Sequence, residues 1–135
     1  QVVQLVFGGI AAVSLIVGGI GIANTMVMNV MERTREIGIM KATGATNSQM
    51  MKIFLTESAI FGIIGGSIGV FFGYMISRVI NMVADNYLGS NVLVTTVTPD
   101  MVIQALAFSL VVGVVSGLYP AYRAVKLDPV EALRA

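Results

Sequence analysis

The chain of 135 residues is 56% hydrophobic and 11% charged, with a mean hydropathy of +0.89, against roughly 25% charged in an ordinary soluble domain. A 14.2 kDa globule needs charge to cover its large surface, so this composition argues strongly against a water-soluble fold. A net charge of +1 with no cysteine and no histidine leaves no nucleic-acid footprint, no thiol or disulfide chemistry and none of the commonest metal ligands.

Gln1 is not an initiator methionine, which reads as the start of a fragment or processed piece of a longer protein. The first apolar run, 3–31, lacks the basic flank of a signal peptide and far exceeds its hydrophobic region. Only Gln4, Ser14, Asn24, Thr25 and Asn29 interrupt it with polar side chains. About 28 helical residues reach roughly 42 Å, more than the ~30 Å hydrocarbon core. The helix must tilt or protrude, and the polar cluster at its end favours protrusion toward Glu32. Burial in a soluble core is the bland alternative, but so small a domain could hardly wrap helices of this length.

Next comes a short charged stretch, 32–43, holding Glu32, Arg33, Arg35, Glu36 and Lys41. As a helix it places Ile37, Met40 and Lys41 on one face, with Thr34 and Gly38 close by, while Arg33, Arg35 and Glu36 point elsewhere. A plain interfacial helix would be more uniformly basic, so mixed charge beside a small apolar ridge suits a protein partner better. Gly44 fits the position just past a helix end, and Thr46 or Asn47 can cap the next start.

The second span, 50–83, contains Lys52 and Glu57 early and Arg78 late. Glu57 reads as a carboxylate near the interface, paired with Lys52, rather than a mid-bilayer proton carrier. Arg78 is expected to snorkel to headgroups. A connector follows in which 92–97 could form a short strand. The third span, 99–122, opens with Thr98 as N-cap, Pro99 at the first helical position and Asp100 at the positive end of the dipole. Pro120 predicts a kink or an early end. In the tail, 123–135, Asp128, Pro129 and Glu131 have the spacing of a capping box for a short helix. The chain thus reads as an all-α membrane protein with three transmembrane helices and a short cytoplasmic coupling helix between the first two.

Orientation follows from the basic residues. Arg33, Arg35, Lys41, Lys52, Arg123, Lys126 and Arg134 fall on one side and Arg78 alone on the other, so the connector and C-terminus are expected inside and the N-terminus outside. Small residues four apart suggest the packing faces: Ala105, Ser109, Gly113, Gly117 and Ala121 on the third span, and Gly65, Gly69 and Gly73 on the second, with Ser58, Gly62 and Gly66 alongside.

Two runs of residues carry a resemblance. Gly18 through Asn24, then Glu32 through Gly38 and Lys41 through Ala45, and at the far end Gly117 through Ala124 and Asp128 through Arg134, resemble the permease domain of FtsX/MacB-like ABC transporters. The resemblance covers nearly all of 1–135. It implies a four-span permease of which this chain matches spans two to four, the first span and a large extracytoplasmic domain lying outside it. It also implies a coupling element seated on an ATPase subunit, with Glu32, Arg33, Arg35, Glu36, Ile37, Gly38, Lys41, Ala42, Gly44 and Ala45 as the carried-over positions. Met40 stands where that pattern often has a basic residue.

The implied partners are an ABC ATPase subunit, a second permease copy (identical or different) and membrane lipids, with no nucleic acid. The implied location is the prokaryotic inner membrane. The chain is expected to be no enzyme and to hold no cofactor of its own: a phosphate-binding loop needs Gly-Lys-Ser/Thr, which the sequence lacks, so ATP and Mg²⁺ belong to a partner subunit or another domain. The expected mechanism is mechanical, the first span acting as a lever continuous with the coupling helix. The alternatives are a channel or secondary-transporter fragment using Glu57 as its ion site, and a structural membrane scaffold.

Overall fold

The computed structural model describes residues 1–88, 96–128 and 132. Among the described residues four helices run in chain order: α1, Val2–Glu32; α2, Thr34–Ala42; α3, Asn47–Leu88; and α4, Pro99–Val125. The described residues contain no strand. The segment read as a possible strand, 92–97, falls mostly outside them, as do Pro129 and Glu131 of the C-terminal capping box. There, Ala132 N–H donates to Asp128 O at 2.9 Å, one helical bond from that region.

Each boundary has a local cause. α1 ends at Arg33, whose ψ of 18° departs from helical geometry. The Thr34 hydroxyl donates to Val30 O and Met31 O at 3.1 and 2.8 Å, taking carbonyls that the helix end would otherwise leave bare. Only this one residue, the elbow, separates α1 from α2, and helical bonds from Arg33 N–H to Asn29 O and from Ile37 N–H to Arg33 O, both 3.0 Å, span it.

α2 stops at Gly44, whose φ of 101° only glycine adopts cheaply. Ala45 N–H reaches Met40 O at 2.9 Å and Gly44 N–H reaches Lys41 O at 3.0 Å, the paired bonds of a Schellman end. Thr46 then opens α3. Its hydroxyl accepts from Gln49 N–H at 3.3 Å, and its own N–H donates to Gln49 Oε1 at 2.8 Å, a reciprocal capping box. α4 begins on Thr98, whose side chain accepts from Met101 N–H at 3.4 Å, with Pro99 following. It does not end at Pro120: the helix runs on to Val125 with the proline ring buried.

Among the described residues three helices are long and apolar enough to cross a membrane: Val2–Glu32, Asn47–Ala84 and Pro99–Val125. Their outer surfaces carry large exposed hydrophobics, Leu5 at 76%, Phe7 at 67% and Ile103 at 66% among them. So much unpartnered apolar surface is stable only against lipid.

α4 is the central helix, with α3 packed along one side and α1 crossing another. The α3–α4 contact is made by small residues. A Cβ at Gly62 would sit 2.6 Å from Ser109 O, and one at Gly113 would sit 2.7 Å from Ser58 O and 2.9 Å from Gly62 Cα. Gly66 faces Ser109, and Gly117 faces Ser58. Both serine hydroxyls donate back to their own helices, Ser58 to Leu55 O and Ser109 to Leu106 O, so the backbones approach without stranding a polar group.

The expected series Gly65, Gly69 and Gly73 is not part of this contact: nothing lies within 4 Å of a Cβ at any of them. One residue along a helix turns the face by about 100°, so the neighbouring series Ser58, Gly62 and Gly66 meets α4 instead. Ala105 is likewise exposed, and Leu106 and Ser109 are the α4 residues that meet Gly66. α1 crosses α4 where Gly19 approaches Ser116, whose Oγ would stand 2.9 Å from an added Cβ.

Gly113→Ala therefore drives a methyl into backbone that cannot yield and should destabilise the bundle by about 1–3 kcal/mol. Gly69→Ala, into open space, should stay within about 0.5 kcal/mol. Reversible denaturant unfolding of both variants in detergent micelles measures the contrast.

Candidate functional site

At one end of the bundle all four helices converge. Met26 and Val30 from α1, Ile37 from α2, Met50 and Phe54 from α3, and Ala121 and Ala124 from α4 form one buried cluster, each at most 4% exposed. Met40, Ala45 and Leu127 pack around it. Every element contributes because apolar residues recur at three- and four-residue spacing on the face each helix turns inward.

This core divides the sequence-derived coupling residues into two sets. Ile37 and Gly38 are buried, and Met40, Lys41 and Ala45 are half-buried. The ridge expected to meet a partner is therefore the ridge that seats α2 on its own spans. Glu32, Arg33, Arg35, Glu36, Ala42 and Gly44 remain exposed, joined by Ile39 at 48% and by Thr43. Ile39 was not among the expected coupling positions. It lies three and four residues beyond Glu36 and Arg35, and that spacing alone would have found it.

Lys41 crosses to the end of α4. Its Nζ donates to Val125 O and, at 2.8 Å, to Leu127 O. The last carbonyls of a helix lack intrahelical donors and carry the negative end of its dipole, so an ammonium here meets both needs. A residue read as a contact for an outside partner is thus an internal clamp between α2 and α4.

The elbow carries a second junction. Arg33 Nε donates to Glu36 Oε2 at 2.8 Å, and Arg33 Nη1 stands 4.0 Å from Glu57 Oε2 on α3. Asn29, in the last turn of α1, donates from Nδ2 to Glu57 Oε1 at 3.3 Å. Glu57 therefore pairs with Asn29 and Arg33 rather than with Lys52, and it lies level with the charged end of α1. The side-chain hydrogen bond to Glu36 raises the Arg33 guanidinium above its ordinary pKa; partial desolvation opposes this, and the charges of Glu36 and Glu57 reinforce it. The guanidinium stays charged at any working pH. With side chains 47%, 63% and 28% exposed for Arg33, Glu36 and Glu57, such pairs contribute at most about 1 kcal/mol each and orient more than they bind.

Among the described residues, Lys52, Thr56 and Glu57, with Ile53 and Ile60, line an open surface groove beside this junction. A groove of 410 Å³ between α1 and α4 is lined by Leu15, Ile16, Gly19, Val112 and Val115, with Ser116 its one hydroxyl. Among the described residues no group of three or more carboxylates could hold a metal ion.

The model of the FtsX-like permease C-terminal family matches residues 8–129. An uncharacterized ABC transporter permease of Methanocaldococcus jannaschii is 39% identical over 133 residues, covering 98% of this chain and 33% of its own length. A macrolide export ATP-binding/permease protein of Bdellovibrio bacteriovorus is 43% identical over 134 residues, 99% of this chain and 20% of its own. A pyoverdine export ATP-binding/permease protein of Pseudomonas syringae pv. tomato is 45% identical over 130 residues, 96% of this chain and 19% of its own. The chain thus spans between a fifth and a third of these relatives.

Removing the clamp has a defined outcome. Lys41→Met leaves the carbonyls of Val125 and Leu127 without their donor and should cost about 1.5–3 kcal/mol, the range for hydrogen bonds to a charged group. Lys41→Arg should recover most of it. Amide hydrogen exchange is the direct readout: protection should fall in α2 and around 124–127 while the α3–α4 contact at Gly62 and Gly113 keeps its own.

Proposed function

The chain belongs to the FtsX-like permease family, and from that premise we propose that it works as the membrane permease of an ABC transporter whose ATPase seats on the outward face of α2. The observation that carries the proposal is the two-sidedness of α2. Ile37, Gly38 and Lys41 fix it to the ends of all three spans, while Arg35, Glu36 and Ile39 stand exposed on the other side. A helix held this firmly by its own protein and offering mixed charge around one large apolar side chain suits a protein partner that pushes.

The transport component itself is a multi-pass membrane protein. In the proposed arrangement α2 and the C-terminus face the cytoplasm of a prokaryotic cell and the start of α1 faces outside, in line with the basic residues gathered at one end. Two permease copies, alike or different, act with two ATPase subunits or domains that hold ATP and Mg²⁺, and no catalytic step occurs on this chain. Approach of the ATPases displaces α2. The Lys41 clamp passes that displacement to α4, and the Asn29–Glu57–Arg33 junction passes it to α1 and α3. The work is done at the extracytoplasmic ends of the spans and is export of a substrate or extrusion of a peptide or lipoprotein. That some relatives carry macrolide or pyoverdine export in their names supports export as the class of work.

Single reversals Arg35→Glu and Glu36→Arg, and Ile39→Asp, should each weaken ATPase co-purification at least tenfold, about 1.4 kcal/mol, with membrane insertion and thermal stability unchanged. A bulky residue at buried Gly38 should disturb the fold first. Normal ATPase capture by all three surface variants would remove the proposed docking face.

A further inference from the structure

The end of α4 is two-sided in a way the coupling scheme does not use. Pro120, Ala121 and Ala124 face the core and are buried. Tyr119 and Tyr122 face outward at 67% and 53% exposure, and Arg123 and Lys126 are exposed with them. The positions are i, i+3, i+4 and i+7, one stripe on a helix surface. Charge-free sequence on α4 runs from Met101 to Tyr122, about 33 Å at 1.5 Å per residue. That length fills the ~30 Å hydrocarbon core, so the stripe begins where headgroups begin.

The stripe is also electrostatically open. Arg123 makes no ion pair among the described residues. The Lys126 ammonium lies 4.6 Å from the Tyr122 ring centroid, held by the ring face without being neutralised. Lys41, the nearby cation on α2, is spent on the carbonyls of Val125 and Leu127. Asp128, the acid that follows, has a contact of its own.

We propose that Tyr119, Tyr122, Arg123 and Lys126 form a binding site for the phosphate headgroup of an anionic phospholipid. Arg123 and Lys126 take the phosphate oxygens as charge-assisted donors, and the two tyrosines lie along the glycerol and upper acyl region with their hydroxyls at the polar level. A lipid rather than a soluble anion is the occupant, because the stripe is continuous with the exposed apolar face of Val111, Val115 and Leu118 on the same helix. The site requires only that α4 crosses a bilayer. It stands whether or not α2 docks an ATPase.

The test uses the full-length permease with its ATPase in phosphatidylcholine vesicles containing a minor fraction of photoactivatable phosphatidylglycerol. The expected result is a crosslink in the peptide bearing 119–126. Its yield should fall about fivefold for Arg123→Ala and again for Lys126→Ala, following the ~1 kcal/mol attributed to each basic residue at an anionic surface. Arg123→Lys should restore it, which separates lost charge from lost folding. Inorganic phosphate should not compete. Equal labelling by photoactivatable phosphatidylcholine, unchanged yield in the double alanine variant, displacement by inorganic phosphate, or a crosslink seen only when the ATPase is removed would each overturn the assignment.

Discussion

A lysine on the end of a helix holds this structure's functional end together. The carbonyls at a helix end lie beyond the reach of the helix's own N–H groups, and Lys41 of α2 supplies a charged donor to those of Val125 and Leu127 at the end of α4. α2 is therefore tied to the span most central in the bundle. The apolar cluster around Met26, Ile37, Met50 and Phe54 fixes its roll, and the lysine fixes its position along α4.

Beyond that knot the protein changes character. α3 and α4 meet through Gly62, Gly113 and backbone-bonded serines, a contact with little freedom because its parts are mostly main chain. α1 crosses α4 at Gly19 and, nearer the elbow, enters the shared core with Met26 and Val30 and reaches α3 through Asn29 and Glu57; its earlier turns stand more alone. In the proposed mechanism a push on α2 has two outlets. A stiff one leads through Lys41 into the α3–α4 pair, and a more yielding one leads through the single-residue break at Arg33 into α1.

Much of this was legible because local chemistry decided it. Thr98-Pro99, Gly44 and Thr46 each announce a helix end through chemistry confined to a few residues, and the structure contains those ends, with Gln49, which the sequence reading passed over, closing a box with Thr46. Long apolar runs likewise announce spans by length alone. What stayed hidden depends on neighbours distant in sequence. α3 carries two glycine series about 100° apart, and only the position of α4 chooses Ser58, Gly62 and Gly66 over Gly65, Gly69 and Gly73. Glu57 had Lys52 on its own helix as a plausible partner, yet Asn29 and Arg33 come from a different one. Lys41 looked like a surface charge because its acceptors are carbonyls, which no side-chain pattern reveals. The break at Arg33 involves neither glycine nor proline, and only the Thr34 hydroxyl marks it.

The central claim is that α2 and the end of α4 move as one body when the ATPase acts. Spin labels at exposed Thr43 on α2 and exposed Tyr122 on α4, in the full complex, measure that directly by pulsed electron–electron distance. The separation should be the same without nucleotide and with ATP held by a hydrolysis-deficient partner, while distances between the two copies of α2 change. A shift within one copy larger than about 5 Å, one helical turn, would mean that α2 swings free of its span, and the clamp would then carry no force.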